Sequence, residues 1–157
     1  MKNKIIWIIV VVIVLGGLIW WSQDRNKPLT SGEPIKIGVI YGFTGLASFW
    51  AEYAKNATDL AVEEINKNGG INGRPISVLY EDSQTNPAKA VSAYKKLVDV
   101  DGVRVVVGDV WAFLVNPLIP LAEESKVVTI SPTVMDASVE GESSYFFTLG
   151  HSMQSVR

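Results

Sequence analysis

Residues 61–82 read AVEEINKNGGINGRPISVLYED, and in one register they supply a helix end, a stop, a turn and a strand. Upstream, Ala54, Ala57, Ala61 and Ile65 recur at helical spacing from Ala51 onward, with Leu60 beside them, which predicts an amphipathic helix ended by Gly69-Gly70. Asn72-Gly73 marks a turn and Ile76–Tyr80 (ISVLY) a strand. Further back, Ile35–Gly42 (IKIGVIYG) is a β-branched run whose apolar character after Lys36 suits a strand covered on both faces. Downstream, Pro87 opens a helix with Ala90, Val91, Tyr94, Leu97 and Val98 on one face, and Gly102 ends it. Val103–Val107 predicts a third strand closed by Gly108, a helix holding Leu118, Leu121 and Ala122 follows Pro117, and Val127–Ser131 and Tyr145–Leu149 complete five strands. This alternation implies right-handed crossovers and an α/β fold, a parallel sheet with helices on both faces. In such sheets ligands gather beyond the carboxyl ends of the strands, near the point where strand order reverses. Three loops become candidates: residues 42–50, 108–113 and 131–137.

The remaining chain differs in kind. Residues 5–21 (IIWIIVVVIVLGGLIWW) form an uninterrupted apolar run of seventeen, which at ~1.5 Å per residue approaches the ~30 Å hydrocarbon thickness of a bilayer. Lys2 and Lys4 precede it, and Trp20 and Trp21 sit where an interfacial aromatic belt would lie. A cleaved signal peptide has a shorter apolar region, ~7–15 residues, ending in a small-x-small site, whereas this run ends in Ile-Trp-Trp. The reading is therefore residues 1–4 as a cytoplasmic tail, 5–21 as an uncleaved single-pass transmembrane helix, 22–34 as a polar linker and 35–157 as one extracytoplasmic domain. Within the 157 residues, 48% are apolar and 19% charged, with a net charge of -2, so there is no bulk attraction to nucleic acid. Residues 31–157 hold ten basic and fifteen acidic side chains, a net of -5. With no cysteine and one histidine, His151, disulfides, thiolate chemistry and histidine-built metal clusters are excluded.

Enzyme signatures fail in turn. Gly38, Gly42 and Gly45 lack the G-x-G-x-x-G spacing of a dinucleotide cradle, and no phosphate loop, nucleophile elbow or H-E-x-x-H is present. Glu63-Glu64 and Glu123-Glu124 are neighbours in predicted helices, where adjacent residues do not face one another, and read as solvated faces. Asp82, just past a strand, is expected to satisfy loop amides or cap the next helix, with ligand contact as the lesser alternative. Asn56-Ala57-Thr58 fits a glycosylation sequon but falls inside a predicted helix. No catalytic residue, metal or cofactor is assigned.

Together, IKIGVIYGFTG (35–45), AVEEINKNGGINGRPISVLYED (61–82), NPAKAV (86–91), VRVVVGDV (103–110) and VVTISPT (127–133) resemble the amino-terminal lobe of the branched-chain amino-acid binding proteins of ABC importers, in the type I periplasmic-binding superfamily. The resemblance covers nearly all of the chain after the linker. Members of that family have two lobes that close on a small ligand, so it implies a truncated chain carrying the first lobe alone. By the same resemblance, that lobe holds the ligand's α-carboxylate and α-ammonium groups with loop amides and hydroxyls. The family's aromatic ligand-facing position falls on Trp50, its second-loop hydroxyl position on Ala112, and its third-loop small residue and following threonine on Thr133 and Met135. Ala112 and Met135 are departures, since neither side chain offers a hydroxyl, and neither does the neighbouring Phe113. Trp50, Trp111 and Phe113 make the mouth more aromatic, which suits an apolar or aromatic ligand, although a tryptophan after a strand also commonly packs against a neighbouring loop. Thr133 has an alternative role too, because Ser131-Pro132-Thr133 is good turn chemistry without a ligand.

What the resemblance implies is a solute-binding component of an ABC importer, taking an amino acid or related small molecule, partnered by a membrane permease and doing no chemistry. The rival reading keeps the fold and changes the output to the extracytoplasmic ligand-sensing domain of a signalling receptor. An exported α/β enzyme would need a nucleophile or carboxylate pair at a strand end, and none stands out.

Overall fold

The computed structural model describes residues 12–13, 32–133 and 143–150. Strand β1 (Ile35–Tyr41) is followed by helix α1 (Ser48–Lys67), β2 (Ile76–Asp82) and α2 (Pro87–Lys95), which runs on as a π-helical turn over Lys96–Val100. Then come β3 (Val105–Val107), the short α3 (Ala112–Val115), a 3-10 turn at Asn116–Leu118, α4 (Ile119–Ser125), β4 (Val128–Ser131) and β5 (Phe146–Thr148). The five strands are all parallel, in the order β2-β1-β3-β4-β5. Each predicted strand exists. The third is shorter than expected, because Val103 is buried and its N–H bonds Leu97 O at 3.0 Å at the end of the preceding helix rather than a neighbouring strand.

The turn that decided the prediction forms as read. Gly70 N–H bonds Ile65 O at 2.9 Å, closing α1 through two glycines at φ 101° and 68°. Asn72 and Gly73 both have positive φ, 53° and 78°, between Ile71 and Arg74, whose backbones bond in both directions; this is the left-handed pair that a two-residue hairpin turn requires. Asn66 clamps the assembly to β2, accepting from Ile76 N at 2.7 Å and donating to Ile76 O at 2.9 Å. For α2, Asn86 is the N-cap, accepting from Ala88 N and Lys89 N ahead of Pro87 in the first turn.

Helices cover both sheet faces. On one, Ile40 and Val106 pack with Ala90 and Tyr94 of α2, with Leu97 of the π-helical turn and with Leu118 and Val127. Gly38 lies here because a Cβ would come within 2.8 Å of Leu97 Cδ1. On the other, Val39 and Tyr41 pack against Ala51 and Ala54 of α1. The sequence reading of α1 needs correction at this point. Ala51, Ala54, Thr58 and Val62 turn inward, while Ala57, Leu60, Ala61 and Ile65 are exposed, because the strip of sheet beneath α1 admits only the narrower stripe. The helix expected after Pro117 begins earlier, at Ala112, and is broken into three pieces, with Pro117 and Pro120 each opening a new one.

The predicted membrane anchor at residues 5–21 lies outside the described residues, Val12 and Ile13 excepted. Among the described residues no helix is long and apolar enough to cross a membrane. The last linker residues are held down: Gly32 N–H bonds Gly73 O at 3.1 Å, and Arg74 Nε donates to Glu33 O at 2.8 Å.

Candidate functional site

Strand order places β2 on one side of β1 and β3 on the other, so successive connections diverge between β1 and β3. A crevice between diverging loops is the place where open parallel sheets bind ligands. The loops after β1, β2, β3 and β4 all emerge at this carboxyl edge. Gly108, at φ 124°, sits so close to β1 that an added Cβ would lie 1.9 Å from Ile40 O, and a cis peptide joins it to Asp109. Only glycine permits that approach.

Two polar clusters shape the edge. In the outer one, Asp82 Oδ2 accepts Thr44 Oγ1 at 2.6 Å, while Asp82 Oδ1 accepts from Thr44 N at 3.2 Å and Gln84 N at 2.8 Å. Asp82 thus satisfies loop amides, as expected, and the helix cap falls to Asn86. Burial pushes the Asp82 carboxyl up, but the bonds from Thr44, Gln84 and Phe43 outweigh it and hold the group below the usual carboxylate range. Thr85 Oγ1 accepts from Ala47 N at 3.2 Å and donates to Thr44 O at 3.2 Å, tying the β2 loop to the β1 loop. The inner cluster is Ser83, Asp109 and Ser131, all fully buried. Asp109 Oδ2 accepts Ser83 Oγ at 2.7 Å, and Ser131 Oγ donates to Asp109 O at 2.7 Å. Sequence reasoning placed the loops but assigned none of these three to a site; the only signal was a polar residue at the end of each strand or within two positions of it.

Trp50 lies in the first turn of α1, 62% exposed, and with Tyr41, Asp109 and Val110 it lines a cavity of about 10 Å³. Trp111 and Phe113 stack, with centroids 5.6 Å apart and planes at 29°. With Ala112 and Asn116 they line an open concavity of about 630 Å³. Ala112 also packs on the small core of Val115, Ile119 and Phe146. Thr133 is exposed, and its Oγ1 donates to Val110 O at 3.1 Å, joining the β4 loop to the β3 loop. Met135, with the rest of the third loop, lies outside the described residues. Among the described residues no group of acidic or histidine side chains could hold a metal ion. Two other hollows, about 370 Å³ between α2 and α4 and about 460 Å³ at the amino edge, lie away from these loops.

Residues 34–156 match the family model described as periplasmic binding protein. A Leu/Ile/Val-binding protein of Rhizobium johnstonii is 34% identical over 129 residues, 81% of this chain and 35% of that protein. Among solved structures, the branched-chain amino acid transporter substrate binding protein from Streptococcus pneumoniae, in complex with isoleucine, aligns with a TM-score of 0.73 at 28% identity over 76% of this chain and 34% of that one. A fatty acid ABC transporter substrate-binding protein from Thermomonospora curvata aligns at a TM-score of 0.68 and 27% identity, over 80% of this chain and 31% of that one. These are substrate-binding proteins, not enzymes, and the chain spans about a third of the length of the curated relatives it matches. With its parallel sheet, diverging loops and matched span of 34–156, this chain belongs to the periplasmic binding protein family.

Proposed function

We propose that the chain forms the amino-terminal lobe of the extracytoplasmic solute-binding component of an ABC importer, holding one side of an amino acid or similar small ligand while a second lobe closes from the other. The observation that supports this reading best is the convergence of the loops after β1, β3 and β4 at one sheet edge, where Trp50, Trp111, Phe113 and Thr133 sit. By the family resemblance, Ala112 and Met135 stand where hydroxyl donors are expected, so recognition rests more on backbone amides and apolar contact. That favours an apolar or aromatic ligand. Closure then presents a changed surface to a membrane permease, which responds to whichever form it contacts better. The apolar run at residues 5–21 serves as a single-pass anchor, with the lobe outside the membrane; a tether of this kind raises the local concentration of the lobe at the permease.

A thermal-shift screen of the complete reading frame against amino acids, amides and aromatic acids tests the binding role. A true ligand at a hundredfold over its dissociation constant stabilises by ~2.7 kcal/mol. The 157-residue chain, offering one wall, is expected to show no shift; a clear shift there would refute the two-lobed clamp. Resistance of the membrane-bound chain to alkaline carbonate extraction checks the anchor.

A further inference from the structure

The binding reading leaves one buried carboxyl group unused. Asp109 is fully buried, and both carboxylate oxygens and its backbone carbonyl accept hydrogen bonds. Its Oδ2 accepts Ser83 Oγ at 2.7 Å from the end of β2, and its Oδ1 accepts Val110 N at 2.6 Å. Its backbone carbonyl accepts Ser131 Oγ at 2.7 Å from the end of β4. Ser83 N in turn donates to Tyr41 O at 2.9 Å at the end of β1, and Thr133 Oγ1 donates to Val110 O at 3.1 Å. The ends of β2, β3 and β4 therefore meet at Asp109, and the end of β1 joins them through Ser83.

We infer that Asp109 is a positioning residue for the binding edge, fixing the loops after β2, β3 and β4 relative to one another and setting the charge beneath them. The inference rests on the proposal that this edge meets a ligand. A carboxylate in such a place is costly without a cation or dense hydrogen bonding. Its titratable neighbours are Asp82, from the β2 end, and Tyr41, from β1; α1 offers Trp50, Ala51 and Ala54, and none of these carries a positive charge. Burial raises the affinity of Asp109 for a proton, the bonds from Ser83 and Val110 oppose this, and the charge on Asp82 adds to the rise. Both protonation states suit the same geometry. The ionised group accepts from Ser83 Oγ and Val110 N; the protonated group donates to Ser83 Oγ while still accepting from Val110 N. The arrangement can thus persist while its charge changes, so a ligand group placed above it is coupled to that proton.

Hydrogen exchange on the 157-residue chain tests the positioning role without any ligand. Asp109→Ala is expected to speed exchange about tenfold in residues 83–86, 108–113 and 131–133 while leaving Ile37–Ile40 slow. Asp109→Asn, which can donate to Ser83 and accept from Val110, should restore most of the protection. Should Asp109→Ala fail to fold, Ser83→Ala provides the same comparison, with the expected increase centred on 83–86 and 108–113. Unchanged exchange in these loops would overturn the inference. The second arm titrates isoleucine into the complete reading frame between pH 4.5 and 8, as wild type and as Asp109→Asn. The wild type should show a pH dependence of affinity that Asp109→Asn flattens, an effect that loss of loop order alone would not produce; superimposable profiles would remove the charge-setting half of the role. Absence of any isoleucine binding would count against the proposed ligand class, leaving the exchange arm to decide on Asp109.

Discussion

The two faces of the sheet are packed to different standards. On the face carrying Ile40 and Val106, the side chains of Tyr94, Leu97, Leu118 and Val127 are all 0–1% exposed, and two successive crossovers close over them. On the face carrying Val39 and Tyr41, α1 is the only described helix that lies across the strands, Val78, Tyr80 and Val107 stay partly open, and Leu60 on the outer side of the helix is 66% exposed. The first face is a finished core that fixes strand order. The second leaves apolar and aromatic surface beside the same edge where Trp50 stands, with Phe49 packed edge-on against Trp50 and Tyr53 at centroid distances of 5.6 and 4.9 Å. Among the described residues, more fully buried apolar side chains thus lie on one side of β1 than on the other.

Substitutions can break that contrast. Leu97→Ala, in the finished core, should destabilise by ~2–5 kcal/mol in chemical denaturation, since Leu97 is wholly buried and Gly38 leaves no side chain to fill the space. Asn86→Ala should cost about 1 kcal/mol, by removing the cap of the helix that covers the same core. The carboxyl edge should show itself through acid. The folded chain holds the Asp82 carboxyl below its unfolded value of about 4, so its stabilisation is fully present above that value and lost as pH falls through the folded one. Urea midpoints should consequently fall less between pH 6 and pH 3 in Asp82→Asn than in the wild type. Leu60→Ala should change stability by no more than about 0.5 kcal/mol. A loss there as large as that of Leu97→Ala would mean that the open face is packed after all.

Much of this architecture is legible in local patterns. Gly69-Gly70 and Asn72-Gly73 announce backbone conformations that few other residues adopt cheaply, and the helix stop and turn occur where those residues stand. β-Branched runs closed by glycine mark the strands for the same local reason. The inner face of α2 was readable because Ala90, Tyr94 and Leu97 are its natural apolar stripe; that of α1 was not, because both of its sides are apolar enough to bury and the sheet beneath admits only one.

The candidate site divides in the same way. Its loops follow from strand positions, and Trp50, Trp111, Phe113 and Thr133 stand at the carboxyl edge. The Ser83, Asp109 and Ser131 cluster could not be read along the chain, since its members lie up to 48 residues apart and meet only when β2, β3 and β4 are set side by side. Local sequence dictates where the backbone turns and which segments form helix or strand, because propensity and periodicity act over a few residues. Strand order, the buried side of α1 and the partners of a buried carboxyl depend on which distant segments compete for the same space, and that competition is resolved only by packing.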